Sequence, residues 1–230
     1  MTSIAESLPA GAMLPRHQHA KPYVTLVLQG AYVEAGDQGR FRVEPGDVLS
    51  HEGFSSHANW IDQRNDVHTL NFELSTVPPI ASVGFSSDVD AVVKLAETDL
   101  TAAVTMLLQS VRPKAASLSD WPEILAKAIR DDPSKSVSYW CRTFGLAAGT
   151  VSRGFKRAFG VSAAQYRATA RARNAYRALV QSDIALVDIA GQFDFSDQAH
   201  FTRSIRALTG APPGYWRGIK NIQDSKPSRT

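Results

Sequence analysis

The stretch "SRGFKRAFGVSAAQYR", residues 152–167, decides the fold because it recurs. Shifted by fifty positions it lies without a gap on "TRSIRALTGAPPGYWR", residues 202–217. Ser152 falls on Thr202, Arg153 on Arg203, Phe155 on Ile205, Lys156 on Arg206, Gly160 on Gly210, Tyr166 on Trp216 and Arg167 on Arg217. A repeat of this period marks a duplicated supersecondary unit. In the second copy Phe195, Phe201, Ile205 and Leu208 form an apolar stripe that docks a helix. The other face carries Gln198, Thr202, Arg203 and Arg206 in place of the Glu/Lys mixture of a solvated surface. Each unit reads as a short helix, a tight turn and a second helix, the helix-turn-helix pattern. Its second helix fits a major groove, where Arg grips guanine O6 and N7, Gln grips adenine N6 and N7, and Thr serves either base. Two units in one chain can read successive grooves about 34 Å apart.

The residues around the repeat are helical too. Ser119 or Asp120 caps a helix with Pro122 in its first turn, and this helix stops near Asp132 and Pro133. Further helices are expected over Val137–Phe144, with a turn at Gly145, and over Ala148–Phe159, with Gly160 as C-cap. A long helix from Ser162 to about Gln181 follows, then Ile184–Phe193, Ser196–Leu208 and Pro212–Ile219. Charge separates the halves. Residues 1–120 hold 8 Lys and Arg against 14 Asp and Glu, a net of −6. Residues 121–230 hold 17 against 8, a net of +9. An acidic half joined to a basic half assigns the polyanion to the second. No apolar run approaches the roughly 18 residues of a membrane helix. The first residues lack a basic stretch followed by an apolar core, so no leader peptide is expected. One cysteine, Cys141, allows no internal disulfide and reads as a buried, inert thiol. The expected location is cytoplasmic, with no membrane partner.

"DIAGQFDFSDQAHFTRSIRALTGAPPGYWR" and "LAAGTVSRGFKRAFGVSAAQYRATARARNAYRALV" closely resemble the two units and linker helix of AraC/XylS-family transcription regulators. The resemblance covers about residues 120–220. It implies a DNA-binding domain of seven helices with two recognition helices. The base-facing positions it implies are Gly149, Ser152 and Arg153 in the first unit, and Gln198, Ala199, His200, Thr202 and Arg203 in the second. Lys156 and Arg206 complete the expected DNA-binding set. Asp194 stands where the family has Gly at the second turn, and Asp tolerates the left-handed conformation that such a turn needs. Gly191, inside the preceding short helix, weakens it by about 1 kcal/mol relative to Ala. Trp140 and Cys141 stand where Leu and Ala are usual.

In the acidic half, residues 12–76 read as short strands. "YVTLVLQG" (Tyr23–Gly30) alternates, with Val24, Leu26 and Leu28 on one face. Arg40–His51 turns at Pro45 and Gly46, and His68–Leu74 alternates again. Gly/Pro/Asp turns between short strands suggest a small antiparallel barrel or sandwich. Pro78–Asp88 reads as a loop and Asp88–Val111 as helix. "PRHQHAKPYVTLVLQG" with "VEPGDVLSHEGFSSHANW" resembles the two motifs of a cupin barrel. His17 and His19, two apart on a strand, face the same way, and His57 falls where the second motif supplies a further ligand. Tyr23 stands near the place of the family's usual glutamate, and Glu52 where proline is usual. Three converging imidazoles suit a divalent metal such as Zn, Fe, Ni or Cu. Tyr23, Leu26 and Trp60 are the expected pocket residues. Three uses of the barrel stay open at this level: an organic effector without metal, a metal that helps sense a ligand, or an emptied barrel for dimer contacts. His51 and His68 show no partner in the sequence.

The sequence therefore predicts an α+β multidomain chain. A cupin-like antiparallel β-barrel sensor occupies residues 1–80, and a helical linker or dimerisation element residues 81–118. An all-α domain with two helix-turn-helix units occupies residues 119–220, followed by a flexible tail over 221–230. The function expected is a sequence-specific DNA-binding regulator, activator or repressor, controlled by a small ligand or metal. Its expected partners are double-stranded DNA, a small-molecule effector, RNA polymerase and a second copy of the chain. The alternative is a metal-dependent cupin enzyme with a fused helical domain.

Overall fold

The computed structural model describes residues 2–78, 80–114 and 120–224. Ser119, linker residues 115–119 and tail residues 225–230 lie outside them. The chain divides into two compact units. One takes in the chain up to Ile124 together with Ser152–Ser162. The other comprises Leu125–Val151 and the chain from Ala163 onward.

The first unit is a barrel of two antiparallel sheets. Its strands are β1 (Ser3–Leu8), β2 (Met13–His19), β3 (Tyr23–Gln29), β4 (Tyr32–Gly36), β5 (Gly39–Val43), β6 (Asp47–His51), β7 (Ser55–Ile61), β8 (Val67–Glu73), β9 (Val83–Phe85) and β10 (Arg112–Pro113). Six pair in the order β1-β8-β3-β6-β9-β10 and four in the order β2-β7-β4-β5. Three strands go beyond the sequence reading. β1 is an exposed edge strand with weak alternation, paired from Ser3↔Phe72 to Leu8↔Val67. β9 lies in the stretch read as a loop and pairs with β6, while β10 adds two residues beside it. These last two are too short to show a period.

The helical stretch after Asp88 breaks into α1 (Val89–Ala96) and α2 (Leu100–Ser110). The break is set by Asp99, whose side chain accepts from the Ala102 N–H at 2.9 Å and so starts a new helix. Val92, Ala103, Val104 and Leu107 share one core with Val24, Leu26, Val48, Leu70, Phe72 and Leu74. The apolar stripe of these helices is thus buried on the outer face of the larger sheet. β3 is consequently covered on both sides, and its first five residues are all buried.

From Trp121 to Asp224 the described residues form seven helices, the number the resemblance implies: α3 (Trp121–Asp131), α4 (Val137–Thr143), α5 (Ala148–Phe159), α6 (Ala163–Gln181), α7 (Leu186–Gln192), α8 (Gln198–Thr209) and α9 (Pro213–Asp224). α9 runs into the stretch read as tail. The fifty-residue offset is literal: α5 and α8 begin and end fifty positions apart, as do the starts of α6 and α9. Gly160 and Gly210 end α5 and α8 at φ 70° and 78°, and Gly145 and Asp194 sit in the two turns at φ 63° and 54°. Asp194 therefore keeps the left-handed turn that glycine usually makes. Ala175, Leu179, Ile189, Ala190, Phe195, Phe201 and Ile205 form the core of the second helix-turn-helix against α6. Asp197 caps α8 by accepting from the His200 N–H at 2.6 Å. Cys141 is buried and free.

The glycines inside the helices differ in what surrounds them. A Cβ on Gly191 would meet nothing within 4 Å, whereas one on Gly154 would come within 2.4 Å of Trp121 Cζ2. Gly191→Ala is expected to raise stability by up to about 1 kcal/mol through helix propensity, and Gly154→Ala to lower it. Thermal denaturation of the two variants checks this, and the reverse order would contradict the packing described.

Candidate functional site

The site begins with the period of two along a strand. β2 and β7 pair with His17 opposite His57 and His19 opposite Ser55. This puts three imidazoles on the inner face of the smaller sheet. The rings lie 4.5 Å (His17–His57), 4.9 Å (His17–His19) and 5.2 Å (His19–His57) apart. One nitrogen from each falls within 4.8 Å of the others. The larger sheet contributes Tyr23 and His51, paired across β3 and β6 and stacked at 4.2 Å. β4 contributes Glu34. Its Oε2 lies 3.0 Å from His57 Nδ1 and its Oε1 3.7 Å from His51 Nδ1, and all three residues are buried. The sequence alone does not reveal Glu34 and His51 as members of this cluster. Glu34 alternates like any strand residue, and only the barrel's closure brings it to the imidazoles.

Hydrogen-bond chemistry assigns the protons. A carbonyl only accepts, so His17 Nδ1, 3.0 Å from the Pro15 oxygen, carries a hydrogen and leaves Nε2 bare. A carboxylate also only accepts, so Glu34 Oε2, 3.0 Å from His57 Nδ1, favours a proton on that nitrogen. His57 Nε2 lies 2.9 Å from His17 Nε2 and 3.4 Å from the Tyr23 hydroxyl. Two lone pairs at that separation need a proton or a cation between them. His19 Nε2 is buried with no hydrogen-bond partner. These nitrogens fit a divalent metal held by His17, His19 and His57, and three imidazoles match the preference of Zn or a neighbouring transition metal.

Charge follows the same layout. Burial pushes His51 down to about 4, against the pull of Glu34. Burial and the neighbouring His57 and His17 push His19 down to about 4. Burial also works against a charged His57, but the Glu34 carboxylate outweighs it and raises this group. Burial would raise Glu34, yet His51 and His57 together hold it well below the usual carboxylate range.

The imidazoles open onto a cavity of about 510 Å³ lined by Tyr23, Thr25, Glu34, Asn59, Thr69 and Asn71 among others. Of the three pocket residues expected from sequence, Tyr23 lines it. Leu26 and Trp60 do not. Leu26 shares its face of β3 with Val24, which packs on α1 and α2, while Tyr23 and Thr25 of the opposite face reach the cavity. Trp60 lies on the outer face of β7, because Asn59 takes the inner one. His68 does not line the cavity.

The outer face of the β2–β7 pair meets α5. Arg16 donates to the Ala35 oxygen at 3.1 Å and to the Phe159 oxygen at 3.2 Å, and it pairs with Asp37. Phe159 is the last residue of α5. The next residue, Gly160, has room for only a Cβ before Ala58, Arg16 and Trp60, at 3.4, 3.8 and 3.9 Å. Gln198, Arg203 and Arg206 are exposed along α8 and Ser152, Arg153 and Lys156 along α5, opposite buried Phe155, Phe201 and Ile205. Thr202 is half-buried. So is His200, whose Nδ1 lies 3.1 Å from Ser196 Oγ.

Residues 140–218 match the model of a helix-turn-helix domain. The chain is 35% identical over 85 residues to the HTH-type transcriptional regulator ExsA of Pseudomonas aeruginosa, a match that covers 37% of this chain and 31% of that protein. It is 31% identical over 84 residues to the virulence regulon transcriptional activator VirF of Yersinia enterocolitica, covering 36% and 31%. The matches thus span under a third of each relative's length. Unsaturated-fatty-acid-bound ToxT from Vibrio cholerae aligns over 94% of both chains at 8% identity with a TM-score of 0.43. Among the described residues no helix is long and apolar enough to cross a membrane.

The histidine environments predict a pH response. Unfolded, each histidine takes up a proton near 6.5. Folded, His19 and His51 resist until about 4, so acidification between those values favours the unfolded chain. His57 works the other way: its contribution is complete below 6.5 and is lost as pH rises through its raised value. NMR titration of the ring protons of the metal-free chain should show two histidines still neutral at pH 5.5 and His57 charged there. A neutral His57 at that pH would contradict the Glu34 contact.

Proposed function

We propose that the chain is a sequence-specific transcription regulator whose barrel, residues 1–80, senses a small ligand and whose residues 119–220 read DNA. The observation that carries this reading is the duplicated helix-turn-helix with a donor-rich exposed face, matched by the family model over 140–218. Ser152, Arg153, Gln198, Thr202 and Arg203 face base edges, with Lys156, His200 and Arg206 toward phosphates and flanking positions. The two reading helices enter successive major grooves. The relatives that match are regulators, which favours this reading over a metal-dependent enzyme.

Of the three uses of the barrel, the bare nitrogens of His17, His19 and His57 favour a bound divalent metal. When bound, the metal supplies a positive centre and open positions for a ligand donor. The chain's own residues hold it, and Thr25, Asn59, Thr69 and Asn71 give the cavity polar walls. Occupancy at the inner face of β2–β7 bears on α5 through Arg16 and Gly160 on the outer face of the same strands. The helices α1 and α2 serve the barrel as its outer layer, and residues 81–118 join the sensor to the reading domain.

Arg203→Ala should cost about 1–3 kcal/mol of binding and relax preference at one base pair. Lys156→Ala should weaken all sequences alike and reduce the salt dependence. Quantitative binding to a selected site and its single-base variants separates the two. Equal losses on every sequence in Arg203→Ala would make Arg203 a phosphate contact.

A further inference from the structure

We propose that Glu34 is the residue that makes His57 a metal ligand. It is a positioning carboxylate in a buried layer behind the imidazoles and not a ligand itself. The inference rests on the reading of His17, His19 and His57 as a metal site. An imidazole has two nitrogens, and the barrel wall decides which one faces the cavity. For His57 the cavity-facing atom is Nε2, 2.9 Å from its counterpart on His17. That atom binds metal only if the ring's proton sits on Nδ1. Glu34 Oε2 lies 3.0 Å away; a carboxylate oxygen can accept from Nδ1 but never donate to it, so its presence selects this tautomer.

The charges around Glu34 agree with this role. Glu34 is 4% exposed, and among the described residues its ion pairs are to His57 and His51 alone, with no Lys or Arg among them. A carboxylate buried this deeply needs a nearby positive charge. A cation on the far side of His57 supplies one through the ring, the carboxylate–imidazole–metal arrangement. His51 completes the layer. Its Nδ1 faces the other oxygen of Glu34, and its ring stacks on Tyr23 at 4.2 Å, which steadies the hydroxyl lying 3.4 Å from His57 Nε2. The carboxylate missing from the His17–His19 motif therefore has no replacement in the ligand set. The acidic group has moved one layer outward.

The test uses the full chain and Zn²⁺ alone. Glu34→Gln keeps the size but can present its NH2 to Nδ1, which favours a proton on Nε2. Zn²⁺ affinity by competition with a chelating dye should fall about 10–100-fold in Glu34→Gln and be lost in His57→Ala. Long-range 15N–1H spectra of the metal-free wild type above pH 8 should show His57 with its proton on Nδ1, and those of Glu34→Gln should show it on Nε2. Wild-type affinity in Glu34→Gln, with loss in His57→Ala, would overturn the positioning role and leave the metal site standing. Undiminished Zn²⁺ binding in His57→Ala would instead overturn the metal site. If Glu34→Gln fails to fold, the wild-type spectrum still decides, because a proton on Nε2 there contradicts the role assigned to Glu34.

Discussion

The two-residue period of one strand pair organises the first unit. Along β2 and β7, inward positions carry His17, His19, His57 and Asn59, and outward positions carry Arg16, Ala58 and Trp60. The inward set makes a concentrated cluster of lone pairs, and the outward set holds the end of α5. The two sets are locked together by the backbone, since Arg16 adjoins His17 in the chain and Ala58 lies between His57 and Asn59. A change on the inside that shifts a strand by a fraction of an ångström is passed to the outside without any relay of side chains. The division of the chain into compact units agrees, for Ser152–Ser162 cluster with the barrel and not with α4 or α6 to α9.

This arrangement gives the two helix-turn-helix units unequal situations. The second is self-contained: α6, α7, α8 and α9 bury Phe195, Phe201 and Ile205 in one core, with Trp216 packed against it and bonded to Thr209 at 2.8 Å. The first shares its second helix with the barrel's unit. A regulator that must hold one reading helix steady and make the other answer to a ligand can be built this way. Coupling of this kind requires the ligand to favour one arrangement of the held helix over another.

Much of this is legible in the sequence, and the rest fails for identifiable reasons. The helices of the basic half follow from apolar spacing, caps and glycines, and the fifty-residue repeat fixes their order. The convergence of His17, His19 and His57 follows from strand period and motif spacing. Leu26 is misplaced in the pocket because β3 is apolar on both faces. Only the docking of α1 and α2 on the sheet shows which face is the outer one. Trp60 is misplaced because a large aromatic suggests a pocket wall, while the register of β7 turns it outward. Glu34 and His51 stay invisible because their partners are distant in sequence and meet only when two sheets close. The contact from Arg16 to Phe159 spans 143 residues, and no local pattern announces it.

The most direct test of the central claim, that the barrel's imidazole cluster controls DNA reading through the strands that carry it, is the affinity of the full chain for its selected DNA site with and without Zn²⁺. The measurement is made on the wild type and on Arg16→Ala. A change of at least about fivefold is expected in the wild type, the lower end of ordinary coupling between sites. In Arg16→Ala the change should be much smaller, at unaltered metal content. A wild-type affinity that is the same with and without the metal, at full occupancy of the site, would contradict it.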